Sequence, residues 1–231
     1  MGDDEQIREM LRDIEKECRF TGGYTGRYTL QQRVFEAMAA VPRAEFVPEE
    51  LKPYAYENSP MPIGHGQTIS QPFIVGLMTD LLEPEPRDVV LEIGCGSGYQ
   101  AAVLARLVKK VYSLEIIPAL ASEAARRLRR LGIDNVEVVQ GDGSTGLPAH
   151  APYDGIIVTA AAPKVPEVLV AQLKPFGRMV IPVGRQHRAQ ELMLVEKTDR
   201  EVLSQPVLAV SFVPFTGRAG DLTGAFQSEK G

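Results

Sequence analysis

From about Asp88 onward the chain alternates short runs rich in Val and Ile with stretches of helical periodicity, and this alternation constrains the fold more than any other feature. The runs are DVVLEIG, KVYSLEI, VEVVQGD, YDGIIVTAA and RMVIPVG. Segments this short, and apolar throughout rather than at every second position, are what strands buried on both faces of a parallel sheet look like. The helices between them provide the crossovers. The core is therefore expected to be α/β, a doubly wound, mostly parallel sheet. After Gly184 the helical pattern stops, and ELMLVEK and PVLAVSFVPF read as antiparallel strands closing one edge.

Ahead of the sheet, Ile7, Met10, Leu11 and Ile14 recur at i, i+3, i+4 and i+7, which predicts an amphipathic helix. TGGYTGRYT, Thr21 to Thr29, has three glycines and reads as a loop. A second helix follows with Leu30, Val34, Phe35 and Met38, and Pro42 and Pro48 punctuate a turn-rich connection. The expected organisation is one domain over 1–231: a helical appendage at 1–60, a catalytic core at 61–217 and a frayed tail at 218–231.

A net charge of −5 is the wrong sign for holding long nucleic acid by its phosphates. Cys18 and Cys95 have neither the number nor the spacing of a disulfide framework or a zinc site, so no metal is expected and a reducing compartment fits. The start MGDDEQIREM lacks the positive charge and apolar run of a secretory signal, and no stretch approaches a membrane span. The expectation is a cytoplasmic monomer with no nucleic-acid or membrane partner.

The strongest local feature closes the first buried run: Leu91-Glu92-Ile93-Gly94-Cys95-Gly96-Ser97-Gly98. Glycines at a strand-to-helix turn let a ligand approach the main chain, and in an open α/β sheet ligands sit at such turns. A dinucleotide fingerprint, G-x-G-x-x-G, would need a third glycine where Tyr99 stands. The G-x-G-x-G found instead, with Glu92 two residues ahead, resembles motif I of the class I methyltransferases. Glu115 ends the second run about 20 residues on, where a carboxylate can accept hydrogen bonds from the ribose hydroxyls of an adenosine. Asp142 closes the third run, and in methyltransferases of this class an acid there contacts the adenine, with Gly143 allowing close approach. Taken alone, these features define only a cofactor half. They admit a methyltransferase acting on a small molecule or RNA, or a module that binds the cofactor without turnover.

Upstream lies Gly64-His65-Gly66-Gln67-Thr68-Ile69-Ser70-Gln71-Pro72, then a helix through Phe73, Leu77, Leu81 and Leu82. Such a loop presents backbone donors at a helix start, a place that suits an anion. GHGQTISQP, LEIGCGSGYQ, GDG, APYDGIIVTAAAP and QLKPFGRMVIPVG, in this order between about Val41 and Gly217, resemble the protein-L-isoaspartate O-methyltransferase family. The resemblance implies S-adenosylmethionine as cofactor, S-adenosylhomocysteine as product, and as substrate the carboxylate of L-isoaspartyl residues, with D-aspartyl as a second class, in damaged proteins and peptides. It implies Ser70 as the catalytic residue and Gln67, Thr68 and Ile69 beside substrate or cofactor. Thr216, in VPFT, falls where the family lines its cofactor pocket. Glu92, Gly94, Gly96, Gly98, Glu115, Asp142 and Gly143 complete the cofactor set.

The implied reaction is an in-line displacement in which a carboxylate oxygen takes the sulfonium methyl. A carboxyl of pKa about 3.9 is already ionised at neutral pH, so no strong base is required. What the protein must supply is alignment, and Ser70 is expected to position the carboxylate rather than activate it. His65 reads as a surface residue of its glycine-flanked loop. Arg126, Arg127, Arg129 and Arg130 are expected on a solvated helix face.

Overall fold

The computed structural model describes residues 3–185, 189–215 and 217. Helices α1 (Asp3–Thr25), α2 (Gln32–Ala40) and α3 (Pro72–Leu82) precede the sheet, with two 3-10 turns between α2 and a short hairpin, β1 (Met61–Gly64) and β2 (Gln67–Ile69). Then β3 (Val89–Ile93), α4 (Tyr99–Ala105), β4 (Lys110–Glu115), α5 (Pro118–Arg130), β5 (Val136–Gln140) and β6 (Tyr153–Val158) follow in alternation. The chain continues through α6 (Glu167–Ala171), β7 (Leu173–Val183), β8 (Gln190–Lys197) and β9 (Val202–Val210).

Seven strands form one sheet in the order β5-β4-β3-β6-β7-β8-β9. The first five run parallel, and β8 and β9 are antiparallel additions. The chain steps from β3 outward through β4 and β5, then returns to place β6 on the other side of β3. The carboxyl ends of β3 and β6 thus make a topological switch point, the crevice where open sheets of this kind bind ligands. This is the α/β architecture expected from the alternating runs, with antiparallel strands at the edge.

The two faces of the sheet bury separate sets of side chains. Val90, Val111, Ile157, Val180 and Leu194 pack with α1 to α4, while Leu91, Ile93, Leu114, Ile156, Val158 and Met179 pack under α6. Period-2 alternation along each strand produces this division.

The expected appendage is part of the core: Met10, Ile14 and Cys18 of α1 and Val34 and Met38 of α2 belong to the first set. The loop expected from Thr21 also differs, because α1 continues to Thr25. Glycine inside a helix costs about 1 kcal/mol against alanine. Here Gly22 carries the Tyr28 ring against its backbone, where any Cβ would collide with it. The Thr21 and Thr25 hydroxyls donate back to the carbonyls of Glu17 (2.8 Å) and Thr21 (3.3 Å). The tail expected at 218–231 lies outside the described residues.

Candidate active site

The glycine turn follows from how β3 ends. Gly94 and Cys95 both donate to the Leu114 carbonyl, at 2.9 and 3.0 Å, which folds the turn over the end of β4. Gly94 has φ +94°, and a Cβ there would collide with Thr159 Oγ1. That hydroxyl donates to the Gly94 carbonyl at 2.6 Å, lacing the end of β6 to the turn. The switch point is thereby closed at its base and open above. Gly98 starts α4 and faces Ala124 and Leu128 of α5, so it packs helices and does not line the cleft. Arg127, one of the four arginines expected on a solvated face, is half-buried and donates to the Ser97 carbonyl at 2.8 Å. Arg126, Arg129 and Arg130 are exposed.

Above the turn lies about 560 Å³ of open space lined by Ile93, Gly94, Gly96, Leu114 to Ile117, Gly141, Gly143, Thr159 and Ala160, and by Val213 to Phe215. Gln67 and Thr68 of β2 close its top. Glu115 Oε2 accepts the Gly96 N–H at 2.7 Å and Oε1 the Ile117 N–H at 2.9 Å. A carboxylate offers about four acceptor positions, so each oxygen keeps capacity for a hydroxyl donor in the cleft. Gly143 is held against Ile93 with no room for a Cβ. Asp142 does not line the cleft; it caps the following 3-10 turn through the Ser144 N–H at 2.8 Å, and Gly217 rests against its carboxylate. Thr216 lies outside the described residues.

Glu92 is fully buried on the other face of β3 and is absent from the cleft. One carboxylate oxygen accepts the Ser113 hydroxyl, and Oε1 has no partner of hydrogen-bond geometry. Burial pushes its pKa up to about 8; the Glu115 charge adds to this, while Ser113 and the Ala101 amide oppose it. Glu92 ties β3 to β4 through Ser113.

The segment expected as a shaped loop is a hairpin. Met61 pairs with Ile69 and Pro62 with Thr68, with a bulge before Gly64. The turn is made by Gly64, His65 and Gly66, all at positive φ, and His65 is exposed. Ile69 is buried in the core beneath the hairpin. Ser70 follows at the start of α3, whose first turn is capped by Asn58 Oδ1 accepting the Phe73 N–H at 2.9 Å. A second cleft is lined by Ser70, Gln71, Phe73, residues 208–213 and Glu17, Phe20 and Thr21 of α1. Thr68, Thr159 and Val213 line both clefts and make the wall they share.

Two residues in this arrangement are not among those the sequence singled out. Thr159 could have been found from its place at the end of the fourth run, beside the glycine turn. Arg43 is fully buried, and its guanidinium donates to the carbonyls of Ala55 (2.9 Å), Ser59 (3.5 Å) and Ser70 (2.7 Å). It lies 4.7 Å over the Tyr99 ring centroid, and burial lowers its pKa.

A seven-stranded sheet with a glycine turn and an acid at adjacent strand ends defines a class I methyltransferase. The protein-L-isoaspartate(D-aspartate) O-methyltransferase family model matches residues 23–220. The chain belongs to that family. Protein-L-isoaspartate O-methyltransferase 2 of Nitrosococcus oceani is 57% identical over 212 residues, 91% of this chain and 96% of that one. The Methanopyrus kandleri protein-L-isoaspartate O-methyltransferase is 54% identical over 198 residues, covering 84% and 87%. A solved structure of a protein-L-isoaspartate O-methyltransferase superposes with TM-score 0.81 at 31% identity, over 95% of this chain and 68% of that one.

The cleft at the switch point fits the family's cofactor. It combines a strand-end carboxylate for ribose hydroxyls, apolar walls at Ile93, Leu114, Ile117 and Phe215 for a base, and exposed main chain at Gly94 and Gly96.

Proposed function

We propose that this chain methylates the free carboxylate of L-isoaspartyl residues in damaged proteins and peptides, with S-adenosylmethionine as donor. One observation carries the reading: the cofactor cleft and the cleft containing Ser70 share the wall formed by Thr68, Thr159 and Val213. S-adenosylmethionine, when bound, supplies a methyl group on a positively charged sulfur and leaves as S-adenosylhomocysteine.

The chain's own residues do the rest. Glu115, Gly94 and Gly96 hold the adenosine side, and Thr68, Thr159 and Val213 form the wall across which the carboxylate is presented. Ser70 orients that carboxylate through its neutral hydroxyl. A neutral donor suits this task, since tight pairing of the carboxylate with a cation would stabilise it before reaction more than during it. At neutral pH the carboxylate is already ionised. After release the neighbouring peptide nitrogen attacks the ester carbonyl and expels methanol to give a succinimide, and hydrolysis of that ring returns part of it as normal aspartate. D-aspartyl residues are proposed as a second substrate class.

The proposed setting is the cytoplasm, where two unpaired cysteines are at home, and the proposed working form is a monomer. Among the described residues no helix is long and apolar enough to cross a membrane.

The test is transfer of a labelled methyl group to an isoaspartyl peptide, read as base-labile methanol, against the same peptide with normal aspartate. Label in the isoaspartyl peptide alone is the expected result. Equal labelling of both would reject the repair assignment, and label only in RNA or a small molecule would move the activity elsewhere within the class. Ser70→Ala is expected to lower kcat about tenfold, the worth of one hydrogen bond to a charged group, with cofactor affinity within about twofold. An unchanged kcat removes Ser70 from the reaction.

A further inference from the structure

Helix α1 carries two large side chains that the fold leaves open. Phe20 is 86% exposed and Tyr24 79% exposed, while Met10, Ile14, Cys18 and Thr21 are buried. Residues four apart on a helix lie one above the other, so the two rings make one aromatic strip. Phe20 lies outside the stretch matched by the family model, residues 23–220, so family membership assigns it no role.

The Phe20 end of the strip borders the cleft that contains Ser70. Phe20, Thr21 and Glu17 line the same cleft as Ser70, opposite residues 208–213. Glu17 Oε2 accepts from Asn58 Nδ2 at 2.6 Å and from Gln71 Nε2 at 3.0 Å. Asn58 in turn caps α3, and Gln71 directly follows Ser70. The aromatic strip and the reactive loop are therefore tied into one unit, and the separation between Phe20 and Ser70 is set by hydrogen bonds rather than by a free segment. The cleft extends from Ser70 and Phe73 to Glu17 and Phe20 of α1, so the residues beside the damaged one enter it too.

From this geometry we infer that Phe20, backed by Tyr24, is a specificity-determining wall of the substrate cleft, which favours isoaspartyl peptides carrying an apolar or aromatic residue next to the damaged position. The inference rests on the proposed function. The isoaspartyl unit is the same in every substrate, so discrimination among substrates falls to the side chains beside it. An apolar side chain laid on Phe20 removes the surface of both from water.

The experiment compares isoaspartyl hexapeptides that differ only in the flanking residue, Phe or Leu against Ser, placed in turn on either side. Wild-type protein is expected to favour the apolar peptides about tenfold in kcat/KM, the difference lying in KM. Phe20→Ala is expected to reduce that ratio to about twofold and Phe20→Leu to keep part of it. Phe176→Ala, an exposed ring on β7 outside the cleft, is the control and should leave the ratio unchanged. Phe20 is almost wholly exposed, so its variants are expected to melt with the wild type. No preference in the wild type, or an equal preference in Phe20→Ala, overturns the inference while the proposed function stands. Failure of the wild type to methylate any isoaspartyl peptide removes the proposed function itself, and this inference with it.

Discussion

Replacing Arg43 by methionine is expected to cost about 3–5 kcal/mol of folding stability and, in the protein that remains folded, to cut kcat about 100-fold. The side chain is fully buried and holds carbonyls from three separate stretches, at Ala55, Ser59 and Ser70. Methionine fills the volume but donates nothing, so three acceptors lose their donor, the Ala55 carbonyl in a buried place and those of Ser59 and Ser70 in part-buried ones. Each unsatisfied buried group costs about 1–3 kcal/mol, partly offset because the desolvated cation is gone as well. The functional loss has a different origin. The Ser70 carbonyl is the closest of the three contacts, at 2.7 Å, so the backbone bearing the positioning hydroxyl is set by Arg43. A displacement of about 1 Å at such a residue is enough for a 100-fold loss. Arg43→Lys separates the two effects: an ammonium keeps the charge but cannot span three carbonyls in a plane. It should recover part of the stability in urea denaturation while kcat stays low and cofactor affinity stays near wild type. A lysine variant with wild-type kcat would show that the guanidinium only holds the fold together.

The sheet was legible because β3, β4 and β6 are largely covered on both faces, and that burial writes near-continuous apolar runs into the chain. The hairpin was not, since strands of three and four residues containing Pro62 and Gly64 offer no alternation long enough to register. The end of α1 was misread because the sequence shows Gly22 and Gly23 but not the Tyr28 ring that makes a glycine useful there. Arg43 was invisible for a related reason: its partners are main-chain carbonyls 12 to 27 positions away, and carbonyls leave no trace in residue identity. Of the acids named for the cofactor, Glu115 lines the cleft, Asp142 caps the turn beside it, and Glu92 faces away. Period-2 alternation held that last distinction in advance. Ile93 lines the cleft, so Glu92, one residue earlier on the same strand, must point to the opposite face with Val90.

Glu92 on that opposite face gives the second large effect, and it depends on pH. In the folded protein its pKa lies at about 8 against an ordinary 4.5, because the carboxylate is out of water. Folded protein therefore keeps the proton between those values, whereas the unfolded chain gives it up. Stability is fully present below pH 4.5, falls as pH rises through the window, and levels off above about pH 8. Each tenfold in acid constant is worth about 1.4 kcal/mol, so this one residue accounts for a decline of about 5 kcal/mol. Glu92→Gln has the shape of the protonated acid and still accepts from Ser113, but it cannot ionise. The variant is expected to match wild type at pH 5 within about 1 kcal/mol and to exceed it by about 3–5 kcal/mol at pH 9. Urea midpoints at the two pH values, taken as variant minus wild type, cancel every other titrating group. A difference that stays constant across that range would mean that Glu92 is ionised in the folded state, and that the strand pair of β3 and β4 holds a buried charge.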